Sequence, residues 1–196
     1  MRAFLAIVPP QEVVAEVEQF LRPRRDSDQQ HHRDWRWTLP EQLHVTLVFL
    51  PELTETAADQ LLEAGSVWAA RREPLPVRVQ GAGAFPAPDR ARVLWLGVGP
   101  EDTAAELRRW ARALRDAAGH AGAVVGGTPF SPHLTVARSG RPKRAGRWVQ
   151  TLDTVDGPEF TVSEVVLVES HLGEGPGRRP RYEVRARLPL GGAGPP

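Results

Sequence analysis

Residues 43–50 read Leu-His-Val-Thr-Leu-Val-Phe-Leu, and a similar segment, residues 133–138, reads His-Leu-Thr-Val-Ala-Arg. Both segments are rich in β-branched and apolar residues, which predicts two β-strands. Side chains i and i+2 of a strand point to the same face, so His44 shares a face with Thr46 and His133 shares one with Thr135. The residues that alternate with them face the other way, toward a hydrophobic core.

The two His-x-Thr segments lie 89 positions apart, and other patterns recur at about the same offset. Hydrophobic periodicity predicts the order strand, helix, strand, helix, strand in each half of the chain. The patterns cover residues 2–8, 11–22, 43–50, 54–70 and 75–80, then residues 92–98, 102–118, 133–138, 143–152 and 160–170, with a last strand at 182–188. Recurrence at a fixed offset is typical of an internal duplication.

Two duplicated units related by an approximate two-fold axis would place their equivalent strands around a shared groove. We therefore predict one domain over residues 1–190, made of two lobes of roughly 1–89 and 90–190. Three segments lack the periodicity of a helix or strand. Residues 22–34 are polar and predict an exposed mobile loop, residues 81–89 predict turns, and residues 191–196 predict a disordered tail.

The composition excludes several kinds of site. The chain has 196 residues, with 24 acidic and 25 basic side chains, a net charge of +1 and no cysteine. It therefore lacks disulfides, thiolate zinc sites, iron–sulfur clusters and a cysteine nucleophile. A charge so close to zero argues against a protein that coats nucleic acid, although a local basic cleft is compatible with it. The apolar start is far shorter than the ~18–20 residues of a membrane span, so we expect a soluble, cytoplasmic protein.

Two imidazoles and two hydroxyls that face one groove suit the chemistry of a phosphodiester. One imidazole can take a proton from water while the other gives a proton to the leaving oxygen, since histidine titrates near pH ~6.5. The hydroxyls of Thr46 and Thr135 can bond phosphate oxygens. Arg138, three residues after Thr135, can add a charge-assisted bond. These steps require neither a metal nor another cofactor.

The tetrads His-Val-Thr-Leu (44–47) and His-Leu-Thr-Val (133–136) resemble the H-x-T/S-x motif of the 2H phosphoesterases. The sequence is most similar to the bacterial and archaeal RNA 2′,3′-cyclic phosphodiesterases, also called 2′-5′ RNA ligases, up to about Leu190. The similarity extends to RAFLAI (2–7), W-x-x-P-E-x-L-H (37–44), GAFP (83–86), VLWLGV (93–98) and F-x-P-H-L-T-V-A-R (130–138).

The resemblance implies a bilobal α+β fold in which two antiparallel sheets line a central cleft, with helices on the outside. It implies opening of the 2′,3′-cyclic phosphate at an RNA 3′ end to leave a 2′-phosphate. His44 would donate a proton to the 3′ oxygen and His133 would activate water, while Thr46, Thr135 and Arg138 would hold the phosphate. The ligase name of the family implies the reverse reaction, 2′-5′ joining, which we treat as a secondary activity. We expect a monomer that acts on RNA 3′ ends, tRNA fragments among them.

Other functions stay open on the residues alone. A protein that binds RNA ends without cleaving them would keep the same groove, and a small cyclic nucleotide is an alternative substrate. A histidine-based metal enzyme is a third alternative, with the adjacent His31 and His32 as candidate ligands, although a solvated loop is the simpler interpretation. Phe4 and Trp37 are candidates for the cleft rim or for stacking on a base.

Three locally basic stretches could follow an RNA backbone. They are Arg22, Arg24, Arg25, Arg33 and Arg36; Arg138, Arg141, Lys143, Arg144 and Arg147; and Arg178, Arg179, Arg181, Arg185 and Arg187. Arginine-rich exposed faces are also ordinary in a chain with a single lysine. We therefore weigh RNA contact and a solvated face equally for the second stretch, which directly follows the second His-x-Thr strand.

Overall fold

A computed structural model describes residues 1–31, 33–126 and 130–192 of the chain, with nine strands and four α-helices in these ranges. The strands are β1 (Ala3–Ile7), β2 (Arg36–Trp37), β3 (Val45–Leu50), β4 (Leu75–Phe85), β5 (Ala91–Gly99), β6 (His133–Lys143), β7 (Asp156–Val162), β8 (Glu164–His171) and β9 (Arg181–Pro189). The helices are α1 (Gln11–His31), α2 (Glu55–Ala70), α3 (Glu101–His120) and α4 (Gly146–Leu152).

The strands form two antiparallel sheets. The first has the order β3-β1-β8-β9, and the second has the order β2-β6-β5-β4-β7. Each pair of neighbouring strands is antiparallel. The predicted α+β fold with two antiparallel sheets is therefore confirmed.

The sheets show how the duplicated units combine. An offset of 89 residues carries β1 into β5, β3 into β6 and β4 onto β8. Strand β1 pairs with β3, and its counterpart β5 pairs with β6, but β4 lies beside β5 and β8 lies beside β1. Each unit thus gives its last strand to the sheet of the other unit. The division into lobes of 1–89 and 90–190 stays a prediction. Each of the two sheets combines strands from both halves of the chain.

The predicted alternation along the two His-x-Thr strands is present in the structure. Val45, Leu134 and Val136 are fully buried, whereas Thr46 and Thr135 are partly exposed. The apolar side chains join the main hydrophobic core. Burial of every second residue within 44–47 and 133–136 therefore leaves a polar face on each segment, and that face carries the candidate site.

The prediction of a mobile loop over residues 22–34 was wrong for residues 22–31, which are helical. Helix α1 continues through Pro23 to His31, and His32 lies outside the described residues. The cause is Asp28, which is 0% exposed. Its carboxylate accepts hydrogen bonds from the backbone N–H groups of Asp34 and Trp35, both at 3.2 Å, and from the indole Nε1 of Trp37 at 3.0 Å. These bonds fix the end of the helix and the segment that enters the site.

Other boundaries also differ from the sequence patterns. Strand β4 extends to Phe85 through most of the segment predicted as turns, and the strand predicted at 160–170 is two strands, β7 and β8. Gly191 and Gly192 belong to a short 3-10 turn, while residues 193–196 of the predicted tail lie outside the described residues. None of the helices described is long and apolar enough to cross a bilayer.

Replacement of Asp28 by alanine should lower the free energy of unfolding by about 2–4 kcal/mol, because three donors, two of them buried, lose their acceptor. Asp26→Ala is the matched control, since Asp26 is exposed on the same helix and its loss should cost less than about 0.5 kcal/mol. Urea denaturation of the two variants measures the difference. Equal unfolding midpoints would show that Asp28 does not anchor the end of α1.

Candidate active site

The two candidate histidines are held by the same local contact. His44 directly precedes β3, and its Nδ1 lies 2.7 Å from the carbonyl oxygen of Gln42. His133 begins β6, and its Nδ1 lies 2.6 Å from the carbonyl oxygen of Ser131. A carbonyl oxygen only accepts hydrogen bonds, so Nδ1 carries the proton in both rings. Nε2 is therefore the nitrogen that each ring offers to a reacting group.

Aromatic rings surround both imidazoles. Phe4 of β1 stacks on His44, with ring centroids 4.7 Å apart and planes inclined by 21°, and Tyr182 of β9 meets the same imidazole edge-on at 5.3 Å. His133 has Phe85 edge-on at 5.0 Å and Trp95 at 6.1 Å. These contacts limit the movement of each imidazole and reduce its hydration.

The reduced hydration changes the protonation of both rings. Burial lowers the pKa of His44 from 6.5 to about 4. The hydrogen bond to Gln42 acts in the opposite direction and raises this pKa, while the charges of Arg138 and His133 lower it further. Burial also lowers the pKa of His133, and Arg138 adds to this effect while the bond to Ser131 opposes it. Both imidazoles are therefore neutral near pH 7 in the free protein, unlike the pair of one neutral and one charged ring expected from unperturbed values.

A pocket joins part of the predicted site to residues from distant parts of the chain. His44, Thr135 and Arg138 line it, together with Arg36, Trp37, Thr38, Gln42, Arg179, Pro180 and Tyr182. His133 is close enough to His44 for its charge to lower the pKa of that ring. Thr46 lies on β3 opposite Ala6 and is partly exposed. Of the predicted site residues, His44, Thr135 and Arg138 therefore line the pocket, whereas His133 and Thr46 are not among its lining residues.

Several pocket residues were missed in the sequence. Tyr182 is the only tyrosine of the chain, and it contacts both Phe4 and His44. Burial raises the pKa of Tyr182, against the opposing charges of Arg138 and Arg2, so its phenol is a neutral hydrogen-bond donor. Its position at the start of a predicted strand was the one signal available.

Phe4 and Trp37 both lie at the site, but their rings already have protein partners. Each is only 5% exposed. Phe4 supports the imidazole of His44, while Trp37 bonds Asp28 and meets Trp148 edge-on at 5.6 Å. Little ring surface is left for a nucleobase, which favours a role in positioning the site.

Of the two candidate metal ligands, only His31 lies in the part of the chain that the structure describes. Among residues 1–31, 33–126 and 130–192, no group of three or more His, Asp or Glu side chains is arranged to hold a metal ion. His31 lies at the last turn of α1, and His32 is outside the described residues.

The sequence matches the family model of the 2′-5′ RNA ligase superfamily over residues 9–174. The chain belongs to this superfamily. The resemblance to the 2H phosphoesterases that the two tetrads carry is therefore confirmed.

Three relatives share the name RNA 2′,3′-cyclic phosphodiesterase. The RNA 2′,3′-cyclic phosphodiesterase of Aeropyrum pernix is 35% identical over 154 residues, which are 74% of this chain and 83% of that protein. The protein of that name from Thermus thermophilus is 30% identical over 198 residues, covering 98% of this chain and 91% of that protein. Another, from Geobacillus stearothermophilus, is 32% identical, and the match spans only 48% of its length.

Solved structures agree with the fold. The crystal structure of TT0787 of Thermus thermophilus has a TM-score of 0.72 and 30% identity, and the match covers 98% of this chain and 99% of that chain. The structure of E. coli LigT complexed with 3′-AMP has a TM-score of 0.69 and 26% identity, with coverage of 96% and 97%. The superfamily fold therefore extends over nearly the whole chain.

The lowered pKa of His44 predicts how stability depends on pH. The unfolded chain binds the proton near pH ~6.5, whereas the folded protein binds it only near a pKa of about 4. The free energy of unfolding is therefore highest above pH ~6.5, and it decreases by on the order of 3 kcal/mol as the pH falls toward ~4.

Urea denaturation at about pH 7 and about pH 4.5 tests this linkage in the wild type and in His44→Gln. The free energy of unfolding should fall less between the two pH values in the variant, because glutamine does not titrate. The same pH dependence in both proteins would contradict the lowered pKa.

Proposed function

We propose that this protein hydrolyses the 2′,3′-cyclic phosphate at an RNA 3′ end to a 2′-phosphomonoester, without a metal ion. The observation that supports the proposal is the repeated contact that holds Nδ1 of His44 and of His133 on a backbone carbonyl, which leaves the Nε2 atom of each ring for proton transfer. A general acid and a general base are what cleavage of a phosphodiester by water needs.

The class of enzyme follows from the family. Membership of the 2′-5′ RNA ligase superfamily, together with relatives named RNA 2′,3′-cyclic phosphodiesterase, confirms the prediction of an enzyme that hydrolyses phosphodiesters. The roles of the individual residues, the freedom from metal and the fate of the 2′ oxygen are parts of the proposal.

In the proposed reaction the Nε2 of His133 takes a proton from a water molecule whose oxygen attacks the phosphorus. The bond between phosphorus and the 3′ oxygen breaks, His44 gives its proton to that oxygen, and the phosphate stays on the 2′ oxygen. Thr46, Thr135 and Arg138 hold the non-bridging oxygens. Exchange with solvent then returns a proton to His44 and removes one from His133.

Because His44 is neutral in the free protein, the proposed reaction requires that this imidazole gains a proton before the leaving oxygen departs. The acid must be protonated when the substrate is bound, and an anionic phosphodiester beside the imidazole raises its pKa. The substrate thus brings about the charged state that the leaving oxygen requires. A neutral ring in the free protein also avoids an unpaired buried charge beside Arg138.

Some expectations stay predictions. The same two histidines would serve 2′-5′ joining if a 5′-hydroxyl took the place of water, and we treat this as a secondary activity. Action on tRNA fragments, a monomeric state and a cytoplasmic location also stay predictions. The rival functions are an RNA-end binder without turnover, an enzyme for a small cyclic nucleotide and a histidine-based metal enzyme.

Alanine at either histidine should lower kcat by about 10²–10⁴-fold on an oligonucleotide ending in a 2′,3′-cyclic phosphate, because proton transfer is lost. His120→Ala on the exposed end of α3 is the matched control and should retain wild-type turnover. The assay contains excess EDTA, and the terminal phosphate of the product is located by NMR.

Each rival has a distinct outcome in this assay. Full activity of both alanine variants would contradict the two-histidine mechanism, and a 3′-phosphate product would contradict the assigned leaving group. Tight binding without turnover indicates an RNA-end binder. Activity that is lost with EDTA and restored by zinc indicates a metal enzyme.

The lowered pKa values also predict the pH profile. The form with one charged and one neutral imidazole is most populated on the acid side of neutrality in the free protein. The profile of kcat/KM, which reports the free enzyme, should therefore be bell-shaped with its maximum below pH ~6.5. The profile of kcat should lie at higher pH, because bound phosphate raises the pKa of the acid. Flat profiles between about pH 5 and pH 9 would contradict the assignment.

A further inference from the structure

We propose that the pocket contains a second phosphate subsite, formed by Arg36 and Arg179 beside Arg138, for the phosphate that precedes the terminal nucleotide of the substrate. This inference rests on the proposed function, since it assumes that the cyclic phosphate lies at His44 and His133. It adds a second group of the substrate that the pocket binds, the phosphate one nucleotide away from the reacting phosphorus.

The strand register places two arginines face to face. Strand β2 consists of Arg36 and Trp37 alone, and Arg36 is paired directly with Arg138 of β6. Side chains directly opposite in an antiparallel pair share a face with Cβ atoms roughly 4.5–5.5 Å apart, and like charges there are destabilising. The proximity is visible at Arg138, where desolvation lowers the pKa and the charge of Arg36 lowers it further, against Tyr182. An anion between the two guanidiniums would relieve this repulsion.

A third guanidinium reaches the same pocket from the connection between β8 and β9. Arg179 donates through Nη2 to the carbonyl oxygen of Trp37 at 3.2 Å. The next residue, Pro180, is held as well, because its carbonyl accepts a hydrogen bond from Gln42 Nε2 at 2.6 Å. Two hydrogen bonds therefore tie this connection to the pocket wall, and Arg179 is positioned before any ligand binds.

These three arginines have no carboxylate counter-ion in the described part of the chain, in contrast to the arginines of β9. In the described ranges, none of Arg36, Arg138 and Arg179 forms an ion pair with a carboxylate. The arginines that follow on β9 are all paired: Arg181 with Glu174 and Glu183, Arg185 with Glu169, and Arg187 with Glu164. The positive charge of the pocket is thus left for a ligand.

The amount of charge exceeds what the reacting group needs. A cyclic phosphodiester carries one negative charge, and Arg138 with the two threonines is sufficient to hold it. Arg36 and Arg179 come from the first and third basic stretches of the sequence, and the fold brings one member of each stretch to this pocket. Guanidiniums recognise phosphates through paired charge-assisted bonds, so the two further arginines fit a second phosphate.

Two kinds of substrate supply such a phosphate. One is an RNA chain, in which a phosphodiester links the terminal nucleotide to the one before it. The other is a cyclic mononucleotide with a 5′-phosphate. A cyclic mononucleotide with a free 5′-hydroxyl lacks the group altogether, so a preference for the first two substrates is the expected signature of the subsite.

The test compares three probes: adenosine 2′,3′-cyclic phosphate, the same compound with a 5′-phosphate, and the dinucleotide ApA ending in a 2′,3′-cyclic phosphate. Wild-type kcat/KM should be about 10–100-fold higher for the probes with a second phosphate, as expected for charged hydrogen bonds. Arg36→Gln and Arg179→Gln should each reduce this ratio by about tenfold. Arg112→Gln, an exposed arginine on α3, should leave the ratio unchanged.

The pattern over the probes decides between the sources of the phosphate. A preference for the dinucleotide indicates an RNA chain, whereas a preference confined to the 5′-phosphorylated mononucleotide indicates a terminal phosphate. No preference in the wild type, or equal losses on all three probes in Arg36→Gln, would overturn the subsite.

A binding measurement separates the subsite from catalysis. If the wild type turns over none of the probes, the proposed function fails while the subsite is still tested by calorimetry with adenosine 2′-phosphate and ApA 2′-phosphate. Arg36→Gln should weaken binding of the dinucleotide about tenfold more than binding of the mononucleotide. For the dinucleotide, the magnitude of the slope of log K against log salt should fall by about 0.7. Equal weakening of both compounds would overturn the proposal.

Discussion

Two backbone carbonyls, those of Gln42 and Ser131, determine what the rest of the site can do. Each accepts the Nδ1 proton of the imidazole two residues later, at 2.7 Å and 2.6 Å. Each contact is made within one short segment, so it requires no residue from another strand. The exchange of the last strands between the duplicated units then brings the two segments to one cleft. In the proposed mechanism, duplication supplies two equivalent proton-transfer groups whose roles depend on their surroundings.

Those surroundings differ on the two sides of the cleft. His44 lies against Phe4 and Tyr182, whereas His133 lies against Phe85 and Trp95. Both environments disfavour the charged imidazole, and the positive pocket beside His44 adds to the effect. The free protein thus combines permanent guanidinium charge with neutral imidazoles. In the proposed reaction a bound phosphate raises the pKa of the acid, which couples substrate binding to protonation of that imidazole.

The fold class and the two candidate histidines could be predicted from the sequence, because both follow from local patterns of polar and apolar residues. The alternation of His and Thr with apolar residues at 44–47 and 133–136 predicted the polar faces. The offset of 89 residues predicted which strands are equivalent. What the sequence lacked depends on contacts between distant segments. Helix α1 is longer than its pattern because Asp28 receives donors from Asp34, Trp35 and Trp37. Arg36 and Arg179 reach the pocket only through the pairing of β2 with β6 and a bond across 142 residues.

The protonation states of His44 and His133 test the account most directly, and ¹⁵N-edited NMR of the two imidazoles measures them. At about pH 7 we expect both rings to be neutral with the proton on Nδ1 in the free protein. On addition of a nucleoside 2′-phosphate, one ring should become an imidazolium while the other stays neutral. A proton on Nε2 in the free protein, or two rings that stay neutral in the complex, would contradict the two-histidine mechanism.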